Sequence, residues 1–319
     1  MAKNERGQNL TSKYVWVIET INRAKKISFE ELNEKWLNDT DISRGIELPK
    51  RTFKNWCDAI FDMFGIIITN EGRGKYRYFI ENEEDIRQNG ISSWIYNAFS
   101  VSNTLSNSLS LKNRILLENV PSGQKYLQPI IEAMKENKVL NMSYHSYRNE
   151  KEYSYNIQPY SIKLFRQRWY MIARCTHPSY YERGPIIYAL DRIKHLNITN
   201  ERFEMPKDWD AEKYFDGCFG IIVGHDIDIQ PVKLKVAARQ AYYIRDLKIH
   251  ESQEEIERNE EYSIFSYNLR PSFDFQQEIL WNGEDVEVLE PVWLRKEIAG
   301  KIERMWNKYS ASENKDKLV

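Results

Sequence analysis

Pro49-Lys50-Arg51-Thr52-Phe53-Lys54-Asn55-Trp56-Cys57-Asp58-Ala59-Ile60-Phe61-Asp62-Met63-Phe64-Gly65 reads as one helix. Proline suits a first turn, where its missing N–H costs nothing, and glycine suits the left-handed residue that ends a helix. Between them Phe53, Trp56, Cys57, Ile60, Phe61 and Phe64 recur at helical spacing and define a buried face. The opposite face carries Arg51, Asn55, Asp58 and Asp62, with Lys50, Thr52 and Lys54 near the start. Arg and Asn one turn apart have the donor and acceptor pattern that reads guanine and adenine edges in a major groove. The two aspartates limit any approach to phosphate to the first two turns.

Working outward, Gly65 marks a change of period. Ile66-Ile67-Ile68-Thr69 and Tyr76-Arg77-Tyr78-Phe79-Ile80 are β-rich segments around a tip bearing Arg73 and Lys75, which is a hairpin. Upstream, Ser28-Phe29-Glu30-Glu31 is a capping box, and Ile27 with Leu32 supplies the hydrophobic staple that fixes the same helix start. Tyr14 to Ala24 reads as a shorter helix with Val15, Ile18 and Ile21 on successive turns. Three helices and a hairpin with a basic tip describe a winged helix-turn-helix, whose recognition helix enters a major groove while the tip meets phosphate or minor groove. The same unit also occurs as a protein-protein module, and a charged helix face is commonly just solvated.

Composition limits the rest. The chain has 319 residues, 46 Lys and Arg against 47 Asp and Glu, and 13% aromatic residues, so it folds as several domains and is no polyelectrolyte overall. Any nucleic-acid surface is therefore local, and residues 1–80 do carry 14 Lys and Arg against 11 Asp and Glu. Cys57, Cys175 and Cys218 form no CxxC pair and suit a reducing cytoplasm. No apolar run approaches the roughly 18 residues of a membrane span, and no signal-peptide pattern opens the chain. Met1 to Lys13 and Ser310 to Val319 are polar and read as frayed tails. Between residues 81 and 119, Ile91, Trp94, Ile95, Ala98, Val101, Leu105 and Leu109 fall near helical spacing among Ser and Asn, which predicts one or two linker helices with a stripe suited to a dimer contact.

After a helix over 126–137, the pattern becomes β: Val139 to Tyr147, Tyr155 to Leu164, Arg168 to Cys175 and Pro185 to Leu190 are short strands. Here Arg168-Trp169-Tyr170-Met171-Ile172-Ala173 resembles the Trp-Tyr-Leu signature of the WYL domain, with Met171 as a near volume-conserving change in the third place. Tyr144, Gln158-Pro159-Tyr160 and Tyr188-Ala189-Leu190-Asp191-Arg192-Ile193 stand in the family's order around it. The resemblance covers roughly residues 125–205 and extends weakly to Trp281-Asn282-Gly283 and to Glu287 through Arg295. It implies an Sm-like small β-barrel that senses a nucleic-acid or nucleotide-type ligand and passes that state to a DNA-binding module. Similar proteins are dimeric regulators, some in DNA-damage or antiphage-defence settings. In that role Arg192 would bind phosphate, Tyr144 and Tyr170 would offer ring faces and hydroxyls, and His145, Ser146 and Arg168 would complete the pocket. Trp169, alternating with Tyr170, is the expected core anchor.

The last third alternates Val232, Leu234 and Val236 with lysines in a strand, Pro231 to Ala238. A helix from Ala238 to Leu247, a strand from Tyr262 to Leu269, a helix from Phe273 to Trp281, a strand from Asp285 to Leu289 and a closing helix to Tyr309 complete a β-α-β-β-α-β-like order. No zinc-type histidine spacing, phosphate loop or GxSxG elbow accompanies it, so neither an enzyme nor a metal or other cofactor is expected. The fold class expected is thus multidomain α+β: a winged helix-turn-helix over 1–81, a helical linker and dimerisation segment over 82–124, a WYL sensing domain over 125–205 and an α+β extension over 206–319. The expected function is a cytoplasmic, homodimeric, ligand-responsive regulator, a repressor, bound to a double-stranded DNA operator. A nucleic-acid-binding adaptor without operator specificity is the competing reading.

Overall fold

The computed structural model describes residues 2–72, 74–83, 91–107, 114, 123–147 and 151–313. The chain divides into two units, Met1–Glu118 and Asn119–Val319. In the first, α1 (Ala2–Ala24), α2 (Phe29–Asn38), a short α3 (Thr40–Ser43) and α4 (Lys50–Phe64) precede the hairpin β1 (Ile68–Asn70) and β2 (Tyr78–Ile80), and α5 (Ile91–Asn107) follows.

Local chemistry explains these boundaries. The Ser28 hydroxyl accepts from the Glu31 N–H at 3.1 Å while the Glu31 carboxylate accepts from the Ser28 N–H at 2.8 Å, which satisfies two orphan donors at the start of α2. Gly65 caps α4 at φ 67°, a left-handed conformation that a side chain would strain. Helix α1 begins at Ala2 and not at Tyr14. The expected frayed tail is helical because Ala2, Lys3, Glu5, Arg6, Gln8 and Leu10 are good helix formers with no proline among them.

The core of this unit gathers Val15, Ile18 and Ile21 of α1, Leu32 and Trp36 of α2, and Phe53, Trp56, Ile60 and Phe64 of α4. Trp36 stands edge-on to Trp16 at 5.2 Å and to Trp56 at 5.6 Å, and its indole N–H donates to the Ile46 carbonyl at 2.8 Å. Phe61, expected in this face, is 53% exposed, because it lies one residue past the seam that Phe53, Trp56, Ile60 and Phe64 follow. Ile27 exchanges both backbone hydrogen bonds with Tyr78, at 3.0 and 2.7 Å, adding a one-residue third strand to the hairpin just before α2 begins.

Charge holds the hairpin base. The Glu71 carboxylate accepts from Lys26 at 2.6 Å and from Arg77 at 2.8 Å, and these two bonds hold its carboxyl down at about 2. The backbone N–H of Ser28 likewise holds Glu31 below its ordinary value. A carboxyl depressed by folding contributes stability above its unfolded pKa and loses it as pH falls through the folded one. Acid melts should therefore show this unit weakening as pH falls from the ordinary carboxylate range toward about 2. Glu71→Gln should flatten that dependence; an unchanged pH profile for the variant would contradict the assignment.

In the second unit, a turn of 3-10 helix (Gln124–Tyr126) leads into α6 (Leu127–Glu136), β3 (Lys138–Ser146), β4 (Lys151–Phe165), β5 (Arg168–Cys175), a short α7 (Pro178–Tyr181), β6 (Ile186–Ala189), a second 3-10 turn (Leu190–Arg192) and β7 (Ile193–Arg202). The sheet order is β6-β5-β4-β3-β7, and every pairing is antiparallel. Strand β4 pairs with β3 through Lys151 to Ile157 and with β5 through Ile157 to Phe165, with a register shift between Pro159 and Ser161 where proline lacks the ladder donor. The expected closed barrel is not formed. The sheet is open, with β6 and β7 as its edges and no pairing between them among the described residues. Helix α6 covers it, setting Ile130 and Ala133 against Leu140, Met142, Ile157, Met171, Ala173 and Leu190.

After a short α8 (Ala211–Tyr214) come β8 (Gln230–Ala237), α9 (Ala238–Asp246), β9 (Glu254–Arg258), β10 (Tyr262–Leu269), α10 (Phe273–Trp281), β11 (Val286–Glu290) and α11 (Val292–Glu313). The β-α-β-β-α-β order yields an antiparallel sheet β11-β8-β10-β9. Val232, Leu234 and Val236 are fully buried against Phe265, Tyr267, Phe275 and Leu294. Helix α11 runs to Glu313, past the expected end at Tyr309 and into the tail read as frayed from Ser310. Among the described residues no helix is long and apolar enough to cross a membrane.

Candidate nucleic-acid interface and effector site

On α4 the exposed side chains of the first two turns are Lys50, Arg51, Lys54 and Asn55, while Thr52 is half-buried beside the core-facing Phe53. Lys50 Nζ lies 5.6 Å from the centre of the Phe29 ring, which ties the helix start to α2. Asp58 and Asp62 are exposed further along, so the helix is basic only at its N-terminal end. Lys75 is exposed at the hairpin tip, and Arg73 lies outside the described residues.

In the second unit the end of β3, the start of β5 and the 3-10 turn Leu190–Arg192 meet. Arg168 Nη2 donates to Asp191 Oδ2 at 2.6 Å, and this bond is the main reason that the guanidinium is held more firmly protonated than usual. The same guanidinium lies 5.8 Å from the centre of the Tyr170 ring. Arg192 stacks on Tyr147 at 4.1 Å. Arg192 Nε and Asp191 Oδ1 are buried without a hydrogen-bond partner among the described residues. A buried donor and acceptor left unmade are costly, which makes them natural contacts for a polar ligand or bridging water.

The two tyrosines expected to present ring faces do not do so. Tyr144 and Tyr170 are 8% and 7% exposed. The Tyr144 hydroxyl accepts from the Ala189 N–H at 3.1 Å, its ring meets Tyr188 edge-on at 5.2 Å, and burial pushes its pKa up while nearby Arg192 opposes the rise. Both therefore form the floor beneath the arginines. Trp169, the expected core anchor, is only half-buried, although it does pack against the sheet core. The ring that faces solvent is Tyr147, 61% exposed, at the end of the strand expected over Val139 to Tyr147. His145 is half-buried with its ring 5.4 Å from that of Tyr147, and Ser146 is half-buried beside them. Asp191 holds Arg168 and not its sequence neighbour Arg192. The signal for Tyr147 was available: it follows Tyr144, His145 and Ser146 at the strand end, where alternation gives way to the turn.

A hairpin-bearing helical unit followed by two antiparallel sheets, the first with clustered arginines and tyrosines at one end, defines a multidomain α+β chain with a polar site on its second unit. Residues 125–198 match the WYL domain model and residues 228–306 match the WCX domain model. The chain thus carries a WYL domain followed by a WCX domain. No curated protein matches the sequence. Among solved structures it is similar to proteasome accessory factor B/C of Arthrobacter aurescens, at 15% identity over 91% of this chain and a TM-score of 0.36, and spans 46% of that protein's length. It is also similar to a CRISPR Cas-related protein, at 11% identity over 96% of this chain and 86% of that one, with a TM-score of 0.39.

Proposed function

We propose that this chain is a ligand-responsive, DNA-binding transcription regulator of the cytoplasm, acting as a homodimeric repressor. The observation that carries the reading is the division of α4: Phe53, Trp56, Ile60 and Phe64 bury one face while Lys50, Arg51, Lys54 and Asn55 stand exposed on the first two turns of the other. Arg51 and Asn55 are then the base-reading pair, Lys50, Thr52 and Lys54 position the helix on phosphate, and Arg73 and Lys75 extend the contact from the wing. Enrichment of bound fragments from random duplex DNA tests this. A recurring motif is the expected result, and a pool without sequence preference would contradict it in favour of an adaptor.

A polar effector of nucleic-acid or nucleotide type fits Arg168, Arg192 and Tyr147, with Tyr144 and Tyr170 as the floor and His145 and Ser146 at the rim. Guanidinium groups suit phosphate, and an exposed tyrosine ring suits a base.

The dimer reading rests on α5. Tyr96 faces inward against Phe64 at 6.2 Å, whereas Trp94 and Val101 are 49% and 59% exposed on a stripe that includes Ala98. A pair of half-sites needs two such units. Trp94→Glu with Val101→Glu should convert a dimer into a monomer by light scattering at micromolar concentration; a wild-type monomer, with and without DNA, would contradict the reading.

A further inference from the structure

Outside the arginine site, the second unit holds a half-open cavity of about 680 Å³ walled by Lys163 of β4, by Phe215, Asp216, Cys218 and Phe219 after α8, and by His250 after α9. That volume lies within the range of small-molecule sites. The wall is built, not incidental. Asp274 Oδ2 accepts from the Ile221 and Ile222 N–H groups at 2.8 and 3.1 Å and fixes the loop that carries Phe219, while a Cβ at Gly220 would meet the same carboxylate oxygen at 2.1 Å.

Two side chains that carry hydrogen-bond donors line this space. Lys163 Nζ donates to the Gly220 carbonyl at 2.8 Å and sits 3.7 Å from the centre of the Phe215 ring, with burial lowering its pKa. His250 Nδ1 accepts from the Ser252 N–H at 3.2 Å and faces Ser252 Oγ at 2.8 Å. A ring nitrogen that accepts from an amide carries no proton, so the neutral ring holds its hydrogen on Nε2 as a donor. Around the rim Glu212, Asp216 and Glu251 are exposed carboxylates, and Lys213 is an exposed cation beside them, while Lys163 is the cation of the inner wall. The Cys218 thiol is occupied, donating to the Val223 carbonyl at 3.4 Å.

A ligand with only an anionic group would satisfy the donors and face the carboxylates; one with only a cationic group would do the reverse. Phe215 and Phe219 call for an apolar body between. We propose that this cavity binds a small zwitterion with an aromatic side chain, a free amino acid whose carboxylate meets Lys163 and His250 and whose ammonium meets Asp216 and Glu251. It shares no residue with the Arg168 and Arg192 site and does not rest on DNA binding.

Equilibrium dialysis of the full chain with L-phenylalanine, phenethylamine and 3-phenylpropionate tests this. L-phenylalanine should bind at least about tenfold more tightly than either singly charged analogue, since each analogue forfeits the charge-assisted contacts of one end. Lys163→Gln and Asp216→Asn should each weaken it about tenfold; Asp216 is exposed, so its variant should keep the wild-type melting temperature. Arg192→Ala should leave it unchanged. Absence of L-phenylalanine binding, equal binding of either analogue, full retention by Asp216→Asn, or loss on Arg192→Ala would each overturn the proposal.

Discussion

Replacing Arg51 and Asn55 together with alanine should lower affinity for the enriched duplex roughly 100-fold or more at fixed salt, because a good bidentate base contact contributes about 1–3 kcal/mol of discrimination. Both side chains are exposed on α4 and neither belongs to the core, so the melting temperature should stay within a degree or two of wild type. Binding to unrelated duplex should change little, since that affinity comes from phosphate contacts. Lys50→Ala with Lys54→Ala should act differently, weakening all sequences alike and reducing the salt slope by about one for each phosphate contact removed. Fluorescence anisotropy across a salt series separates the two outcomes. A double Arg51 and Asn55 variant that keeps its preference for the motif would place the reading surface elsewhere.

The second large effect lies beneath that surface. Phe53 is fully buried, 4.8 Å from the Tyr78 ring and 5.5 Å from the Phe29 ring, so it joins α4 to both the hairpin and the start of α2. Phe53→Ala should cost about 3–5 kcal/mol, the transfer loss plus the cavity left among partners that cannot collapse. Calorimetry of the full chain should show the transition of the first unit moving down while that of the second holds, and duplex binding should be lost with the former. A cost below about 1 kcal/mol would mean that Phe53 does not organise this unit.

The elements that sequence revealed most sharply are those specified locally. Ser28 with Glu31, Pro49 with Gly65, and the Phe53 to Phe64 spacing define helix ends and a face within a few residues, and the structure places them there. The strand Tyr262–Leu269 and helix Phe273–Trp281 were legible for the same reason, since each buries alternate or helically spaced apolar residues. What escaped was fixed by partners far along the chain. Strand β7, Ile-Lys-His-Leu-Asn-Ile-Thr-Asn-Glu-Arg, is mostly polar and becomes a strand by pairing with β3. Strand β9 is exposed at every residue and exists as the edge partner of β10. Ile27 was read as a staple alone, and its ladder with Tyr78 is invisible without the fold.

The proposed effector site shows the same division. The signature residues named Arg168 and Arg192, which do converge with Tyr144 and Tyr170 on one end of the sheet. Alternation along β3 turns Leu140, Met142 and Tyr144 inward and so puts Tyr147 on the opposite side, one residue past the strand end at Ser146, where a residue beyond the strand carries no role in a strand-by-strand reading. Pairing of Asp191 with Arg168, and not with its neighbour Arg192, follows from the 3-10 turn at Leu190–Arg192 meeting β5.

Two surfaces, one that grips duplex DNA and one that answers to a polar effector, must influence one another if the account holds. Titrating short single-stranded oligonucleotides into the complex of full-length protein with its enriched duplex, followed by anisotropy, reads that coupling directly. Duplex affinity should change at least about fivefold for wild type and stay constant for Arg192→Ala, in line with ordinary coupling free energies of 1–3 kcal/mol. An affinity indifferent to oligonucleotide in the wild type, or the same response in the variant, would contradict it.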